Sequence, residues 1–531
     1  MGSSHNETPD TSEKGGANVY IEHTERPVEL ERRFSFLAVL GLGFSLLNSW
    51  TGLRDPKLGS KQRAALTAAM AASLSVVLSS GGSAAMVWGL LVSAVGTLMM
   101  AISLAEICHV YPLSGGQYDW AYVCSPPSIR KGMSFFTGWM ACAGWTSLFA
   151  AASSLGVAFV TGCIGMWNEN YVAQNWHLFL IFLAFAFGAS ALNAFGVKIL
   201  PTIDRFAGIW GMTGIVVVSI TLLACSSGRY QPAKNVFATL TNVTGWPDGM
   251  AFILGLLQST LGLTAFDAAS HMVEEIPQPA KNAPRVMVMA VGLGAVTSWI
   301  FMIVLLFCLT DFEAVAAAPN GPLLTIYHQA TGSLKGSTCL VMFNLLSMFF
   351  CIQAVNTVAS RMIMSFSRDR GMGPLSRFLS PIHPRLKVPI MSNAFITTWV
   401  VIFGCVWLGS TVALNAILSA AILFVQLSYI IPIALVFIRG DKAFEGHERK
   451  WTLGKWRRPI NFGAMAFASL TSVCFLFPPA IPVTTGSSMN WAILVLAIVM
   501  ILCGTTWLID GRKNFQGPLD LEERLHDGKT A

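Results

Sequence analysis

Long apolar runs separated by short polar connections dominate this chain. Twelve of them lie near 34 to 53, 84 to 105, 134 to 165, 178 to 197, 207 to 225, 250 to 268, 286 to 309, 338 to 363, 390 to 408, 411 to 437, 462 to 479 and 491 to 508. Roughly 20 apolar residues wound as a helix cross about 30 Å of hydrocarbon, so each run has the length of a membrane span. Lipid offers the backbone no hydrogen-bond partner. A spanning segment must therefore be a helix or part of a closed barrel, and these runs are far too long for barrel strands. The pattern predicts an all-α polytopic membrane protein of 12 spans, whose solvent is the lipid bilayer.

Composition agrees: of 531 residues, 54% are hydrophobic and 11% charged, against about a quarter charged in soluble domains. The first run comes after a polar stretch rich in Ser, Gly, Glu and Thr, residues 1 to 33, so it does not read as a cleaved secretory signal. That stretch has the composition of a disordered arm, and residues 509 to 531 form a second charged tail. The eleven cysteines are scattered through the apolar runs without a CxxC pair, and read as small buried hydrophobes. No metal and no cofactor is expected.

The net charge of +7 sits mainly in alternate loops. The loops after spans two, four, six, eight and ten carry Arg130 and Lys131, then Lys198 and Arg205, then Lys281 and Arg285. Arg368, Arg370, Arg377, Arg385 and Lys387 come next, then Arg439, Lys442, Arg449, Lys450, Lys455, Arg457 and Arg458. The opposite loops, the first excepted, hold Arg229, Lys234 and Lys335. Basic loops stay in the cytoplasm, so both termini are expected there and nucleic acid is not a partner. The "NVT" at Asn242 then lies outside, making Asn242 a glycan acceptor by motif. One loop breaks the pattern: residues 54 to 72 should be external yet include Arg54, Lys57, Lys61 and Arg63. They read as an inserted segment, either an unusual external loop or a translated intron.

Two runs are chemically odd for spans. "GLGFSLLNSWTG", 41 to 52, places Gly41, Gly43, Ser45 and Asn48 inside the first; "GLLQSTLGLTAFDAASHMVEEIPQPAKNAPR", 255 to 285, places Gly255, Gly262, Thr264 and Asp267 inside the sixth. Glycine costs a helix about 1 kcal/mol relative to Ala. Small residues also permit close helix packing, but interruptions at corresponding positions of two halves point to a transporter's binding site. An unwound turn would offer carbonyls to a cation and the next half-helix's N–H groups to a carboxylate. Phe44, Trp50, Trp145 and Phe266 are candidates to wall such a site and cage an ammonium group.

At these residues the chain resembles the amino acid/polyamine/organocation superfamily, and within it the fungal amino acid, choline and GABA permeases. The resemblance is carried by "GLGFSLLNSW", by "SSGG" and "SLAEICHVYPLSGGQYDWA" within 79 to 121, by "TAFDAASHMVEEIPQPAKNAPR" and by "NTVASRMIMSFSRDRGMG". It implies a LeuT-type fold of two five-helix inverted repeats, 34 to 225 and 226 to 438, with a loop and two added spans over 439 to 508. It also implies that Gly41, Gly43, Phe44 and Ser45 face the substrate from one break and Thr264, Ala265, Phe266 and Asp267 from the other. Glu106, Glu274 and Glu275 would form an inner gate against Arg361, Arg368 and Arg370. As loop groups these pairs should be exposed and break at modest cost.

The expectation is a secondary active permease of the plasma membrane that imports an amino acid or related small amine such as GABA by alternating access, with protons as the coupling ion. Asp267, His271, Glu274 and Glu275 are the titratable candidates. A choline or quaternary-amine permease is the alternative within the class, and a permease-fold nutrient sensor the alternative outside it. No GxxxxGK[ST] phosphate cradle, HExxH or GxSxG is present, so neither ATP-driven transport nor hydrolytic chemistry is expected.

Overall fold

The structure is a computed structural model that describes residues 30–47, 80–168, 170–311, 314–315, 322–447, 449–483, 486 and 489–530. The described residues are helical apart from turns and one isolated bridge between Ser80 and Asn242. The principal helices are α1 (Phe36–Leu47), α2 (Gly82–Val110), the short α3 (Gln117–Cys124), α4 (Arg130–Trp167), α5 (Asn175–Phe195), α6 (Leu200–Cys225) and α7 (Asp248–Gly262). After a 3-10 segment, Phe266–Glu275, come α8 (Pro279–Cys308), α9 (Leu334–Arg368), α10 (Ile390–Gly409), α11 (Thr411–Arg439), α12 (Arg457–Cys474), α13 (Ala492–Thr506) and α14 (Leu521–Thr530).

Among the described residues, ten helices are long and apolar enough to cross a membrane, α7 counting together with its 3-10 continuation. The sequence pattern predicts twelve. The two remaining runs correspond to α1, described over 12 residues, and to α12. The latter opens on Arg457, Arg458 and Pro459, and the predicted run from 462 to 479 overshoots it, because the chain leaves the helix before Pro478 and Pro479.

Local chemistry fixes the ends. Proline stands in the first turn of α6 and of α8, where its missing N–H costs nothing. Ser333 caps α9 and Ser410 caps α11, each hydroxyl accepting a backbone N–H at 3.2 Å. Inside the bundle α1 lies against α6, α8 and α9, α2 against α8 and α7, and α4 against α9 and α11. Polar side chains cross-link the interior: Asn356 donates to Asn393 at 2.9 Å, and Ser190 and Thr397 share a 2.6 Å bond. The outer faces are the reverse, with Ile493, Leu494 and Ile501 of α13 among many exposed apolar side chains. Lipid is the solvent that such a surface requires.

Candidate functional site

The two interrupted runs behave differently. The α7 helix stops at Gly262, and the chain unwinds through Leu263 to Ala265, which takes a left-handed backbone at φ 72° and ψ 21°. It then rewinds as the tight 3-10 segment. In contrast, α1 runs without interruption through Gly41, Gly43, Phe44 and Ser45. The expected unwinding at those residues is therefore corrected, and packing is the reason. A methyl group on Gly41 would overlap the carbonyl oxygen of Asp204 in α6, and one on Gly43 would touch Ala290 and Val286 of α8 at 3.4 and 3.5 Å. The glycines let α1 press between two helices. Ser45 turns back to donate to Leu42 O at 2.9 Å, and the ring of Phe44 lies over Gly211 of α6. Asn48, Trp50 and residues 54 to 72 lie outside the described residues.

Around the α7 break the structure gathers a polar knot with aromatic walls. Asp267 does not reach water at the span end; it is completely buried. Its Oδ1 accepts from the Tyr429 hydroxyl of α11, and its Oδ2 accepts from Gln117 Nε2 at 2.6 Å and faces His271 Nε2 at 3.1 Å. The other ring nitrogen of His271, Nδ1, faces the carbonyl of Ser114 at 3.2 Å. An imidazole between a carbonyl and a carboxylate meets an acceptor on both sides. Making both hydrogen bonds takes one proton more than a neutral ring and a carboxylate hold together. Phe266 stacks at a tilt on Tyr429, 4.9 Å between centroids, and Trp145 meets His271 edge-on at 5.7 Å. Thr264 closes the end of α7, donating to Thr260 O at 2.7 Å. All these side chains are buried, and Gln117 Oε1 has no hydrogen-bond partner among the described residues.

One helical turn further along, the predicted gate residues separate into three arrangements. Arg361 forms a bidentate pair with Glu275, at 2.8 and 3.4 Å, and its remaining nitrogen donates to Thr357 O and Ser360 Oγ. The expectation of an exposed, cheaply broken pair is corrected here, since both side chains are at most 3% exposed. The backbone carbonyl of Glu275 also accepts from Phe34 N at 3.1 Å, tying the approach to α1 to the end of the 3-10 segment. Arg368 and Glu274, 2.6 Å apart and about a third exposed, match the expectation better; Ser114 Oγ joins them at 2.9 and 2.7 Å. Glu106 stands apart. It holds Arg457, Thr452 Oγ1 and Leu453 N, all at 2.9 Å, and so anchors α2 to the loop before α12.

Sequence reasoning missed Gln117, Tyr429 and Asp204. Gln117 lies within "SGGQY", and Tyr429 is a polar side chain within a long apolar run, the signal that an intramembrane polar group gives. Asp204 is fully buried with neither carboxylate oxygen bonded among the described residues, and lies within electrostatic reach of Arg361 and Glu275. The side chain of Asn242 is engaged within its own loop: Nδ2 donates to Trp246 O at 2.7 Å and to Asp248 at 2.8 Å. No group of three or more His, Cys, Asp or Glu side chains among the described residues could hold a metal ion, and none of the eleven cysteines is joined in a disulfide among those residues.

A broken helix with a buried polar knot is the arrangement of a membrane transporter's centre, and comparison with known proteins agrees. The family model described as amino acid permease matches residues 34–501. The chain belongs to the amino acid permease family. Its relatives make it a permease of the fungal type within the amino acid/polyamine/organocation superfamily, and a transporter. It is 32% identical over 492 residues to the choline transporter of Saccharomyces cerevisiae, covering 92% of this chain and 83% of that protein. Over 495 residues it is 28% identical to the swainsonine transporter swnT of Arthroderma benhamiae, covering 92% and 93%. To the amino-acid permease BAT1 of Arabidopsis thaliana it is 27% identical over 509 residues, covering 92% and 94%.

Proposed function

We propose that this permease moves a small organic amine with a permanently or normally positive nitrogen, of the choline class, across the plasma membrane. The observation that carries this reading is Asp267: a completely buried carboxylate at the helix break, with Phe266, Trp145 and Tyr429 beside it. A carboxylate and aromatic faces are the two devices that receive an ammonium group away from water. The similarity to a choline transporter supports the same class. Thr264 and Ala265 form the turn, and the Gln117 Oε1 acceptor suits a hydroxyl or N–H of the substrate.

Coupling to protons belongs to this reading. The coupling proton is assigned to His271, between the Ser114 carbonyl and Asp267, which leaves the Asp267 carboxylate negative to receive the cation, so that proton and substrate are carried together. Import by alternating access, with the basic loops and both termini in the cytoplasm, accords with the loop charges. A second reading, an amino acid or GABA as substrate, is favoured by the likeness to an amino-acid permease. It would seat the carboxylate at the start of the 3-10 segment.

Uptake of labelled choline by proteoliposomes, with and without a pH gradient and in competition with choline, proline, GABA and arginine, tests both. Saturable uptake, blocked by excess choline and raised by the gradient, is expected. Saturable GABA or proline uptake that blocks choline would favour the second reading, and gradient-independent uptake would remove the proton.

A further inference from the structure

The charged C-terminal tail is not a free end. Beyond α13 the chain folds back under the bundle: Phe515 is completely buried against Phe135 and Phe366, at 5.4 and 5.9 Å between centroids. Gln516 accepts from Lys131 at 2.7 Å. Gly517 then crosses the ring of Tyr122 with φ 86°, a position where a side chain has neither the backbone freedom nor the room. The chain goes on into α14, which carries Arg524.

Arg524 binds a carboxylate that is entirely buried. Its two terminal nitrogens reach Asp369, the residue that ends α9, at 2.7 and 3.2 Å, and Leu519 N adds a third tail contact at 3.1 Å. The same carboxylate accepts from Tyr118 at 2.8 Å. Tyr118 stands next to Gln117, which holds Asp267. It also shares a hydrogen bond with Ser365, itself 3.2 Å from Ser114, the partner of Glu274 and Arg368. A continuous set of hydrogen bonds thus joins the tail to the gate pair, and the chain itself carries it one residue on to the substrate knot. Beside Asp369 lies a second completely buried carboxyl, Asp119, with Gly115 N on one oxygen and no partner among the described residues on the other. The tail guanidinium bonds one of these buried carboxyls and lies within electrostatic reach of the other, so its departure removes charge compensation from both.

We infer that Arg524 is a gate-positioning residue: docked on Asp369, the tail clamps the ends of α3 and α9 together and so holds the basic-face gate shut, and its release is a step in opening that gate. The inference rests on the transport reading for its meaning, but the clamp itself needs no substrate.

The clamp has a predictable pH dependence. Burial first, then Asp369, push the Asp119 carboxyl up to about 7, while Arg524, Arg368 and the Gly115 N–H pull it down. Since Arg524 lowers this value, the undocked tail leaves Asp119 holding its proton more firmly. Docking is therefore strongest when the basic face is alkaline and weakens as pH falls through about 7. The other charged groups on the packed elements include Glu274, already paired with Arg368, Arg370 just after α9, Arg130 and Lys131 of α4, Arg439 of α11, Asp520, Glu522 and Glu523 of the tail itself, and Lys281 and Arg285 of α8, which lies beside α14. The tail also carries His526, and because histidine is the usual switch near neutrality, its substitution is the control.

The experiment is hydrogen–deuterium exchange by mass spectrometry on the full-length detergent-solubilised protein without substrate, from pH 6 to 8, on the segments 111–124 and 365–372. Exchange rates are corrected for intrinsic pH dependence. R524A should speed exchange in both segments on the order of tenfold, as expected for the loss of a buried charge-assisted pair. R524K should restore part of the protection. The wild type should lose protection on acidification, H526Q should still do so, and D119N should not. Unchanged exchange in R524A, or a pH step that survives D119N, would overturn the inference. Choline uptake by R524A then ties the clamp to transport: a faster maximal rate is expected, and an unchanged rate with altered exchange would refute the gating step alone. Because exchange is read without substrate, a wrong choice of substrate leaves the test intact.

Discussion

The first and sixth runs carry the same warning in sequence, glycines and hydroxyl residues where a span should be smooth, and the structure resolves them in opposite ways. In α1 the glycines are covered: Gly41 abuts the Asp204 carbonyl, Gly43 faces α8, and the helix continues. In the sixth run the backbone turns not at Gly262 but three residues later, at Ala265, a residue with no intrinsic taste for the left-handed region. Glycine content therefore marks where a helix can yield or pack, and the neighbours decide which. At Ala265 the turn is held from its C-terminal side, since Asp267 is fixed by Gln117, His271 and Tyr429.

The sharpest test of this contrast is the pair that holds the 3-10 segment's far end. E275Q leaves Arg361 buried beside an uncharged partner, and should lower stability by about 3–5 kcal/mol, the usual cost of breaking a buried pair from one side. Thermal unfolding in detergent measures it, and a loss below about 1 kcal/mol would mean that the pair is no buried strut. Next comes G41A, which forces a methyl group against α6. A destabilisation of about 1–3 kcal/mol is expected from overpacking, and an unchanged melting temperature would show that α1 is not pinned there. A265G should go the other way. It removes a left-handed penalty of about 1–2 kcal/mol, offset in part by glycine's unfolded-state entropy, so a small rise in melting temperature is expected. A fall would mean that the methyl group itself packs at the break. The smallest effect belongs to E274Q: its partly exposed pair with Arg368 should contribute within about 1 kcal/mol, and the same melt should scarcely move.

Much of this architecture is legible in the sequence. The membrane class and nearly all the helix positions come from run length, because lipid leaves the backbone one economical conformation. That Asp267, His271 and Glu275 are polar groups carried into or beside a span is readable from the sixth run, and the same holds for Arg361 in the eighth. That Glu275 and Arg361 are buried together is not, because two residues 86 positions apart acquire a shared environment only by packing. Glu106 shows the same limit. Its acid side chain at the end of α2 fits a gate on paper, yet its partner is Arg457, 351 residues away. The tail misleads most: its mixed charges beyond Gly511 read as solvated, but one phenylalanine and one arginine among them find a buried ring pair and a buried carboxylate.

The sequence by itself determined that the chain lies in a bilayer as a bundle of helices, and which stretches carry polar groups into it. Those properties depend on local composition and length, and lipid enforces them residue by residue. Only the tertiary structure decided that Gly41 and Gly43 are packed while the sixth run unwinds at Ala265, which carboxylates lose their water, and that the last residues close back on the bundle. Each of these turns on a partner distant in sequence, and the free energy of a buried charge or a crowded glycine is set by that partner rather than by the residue alone.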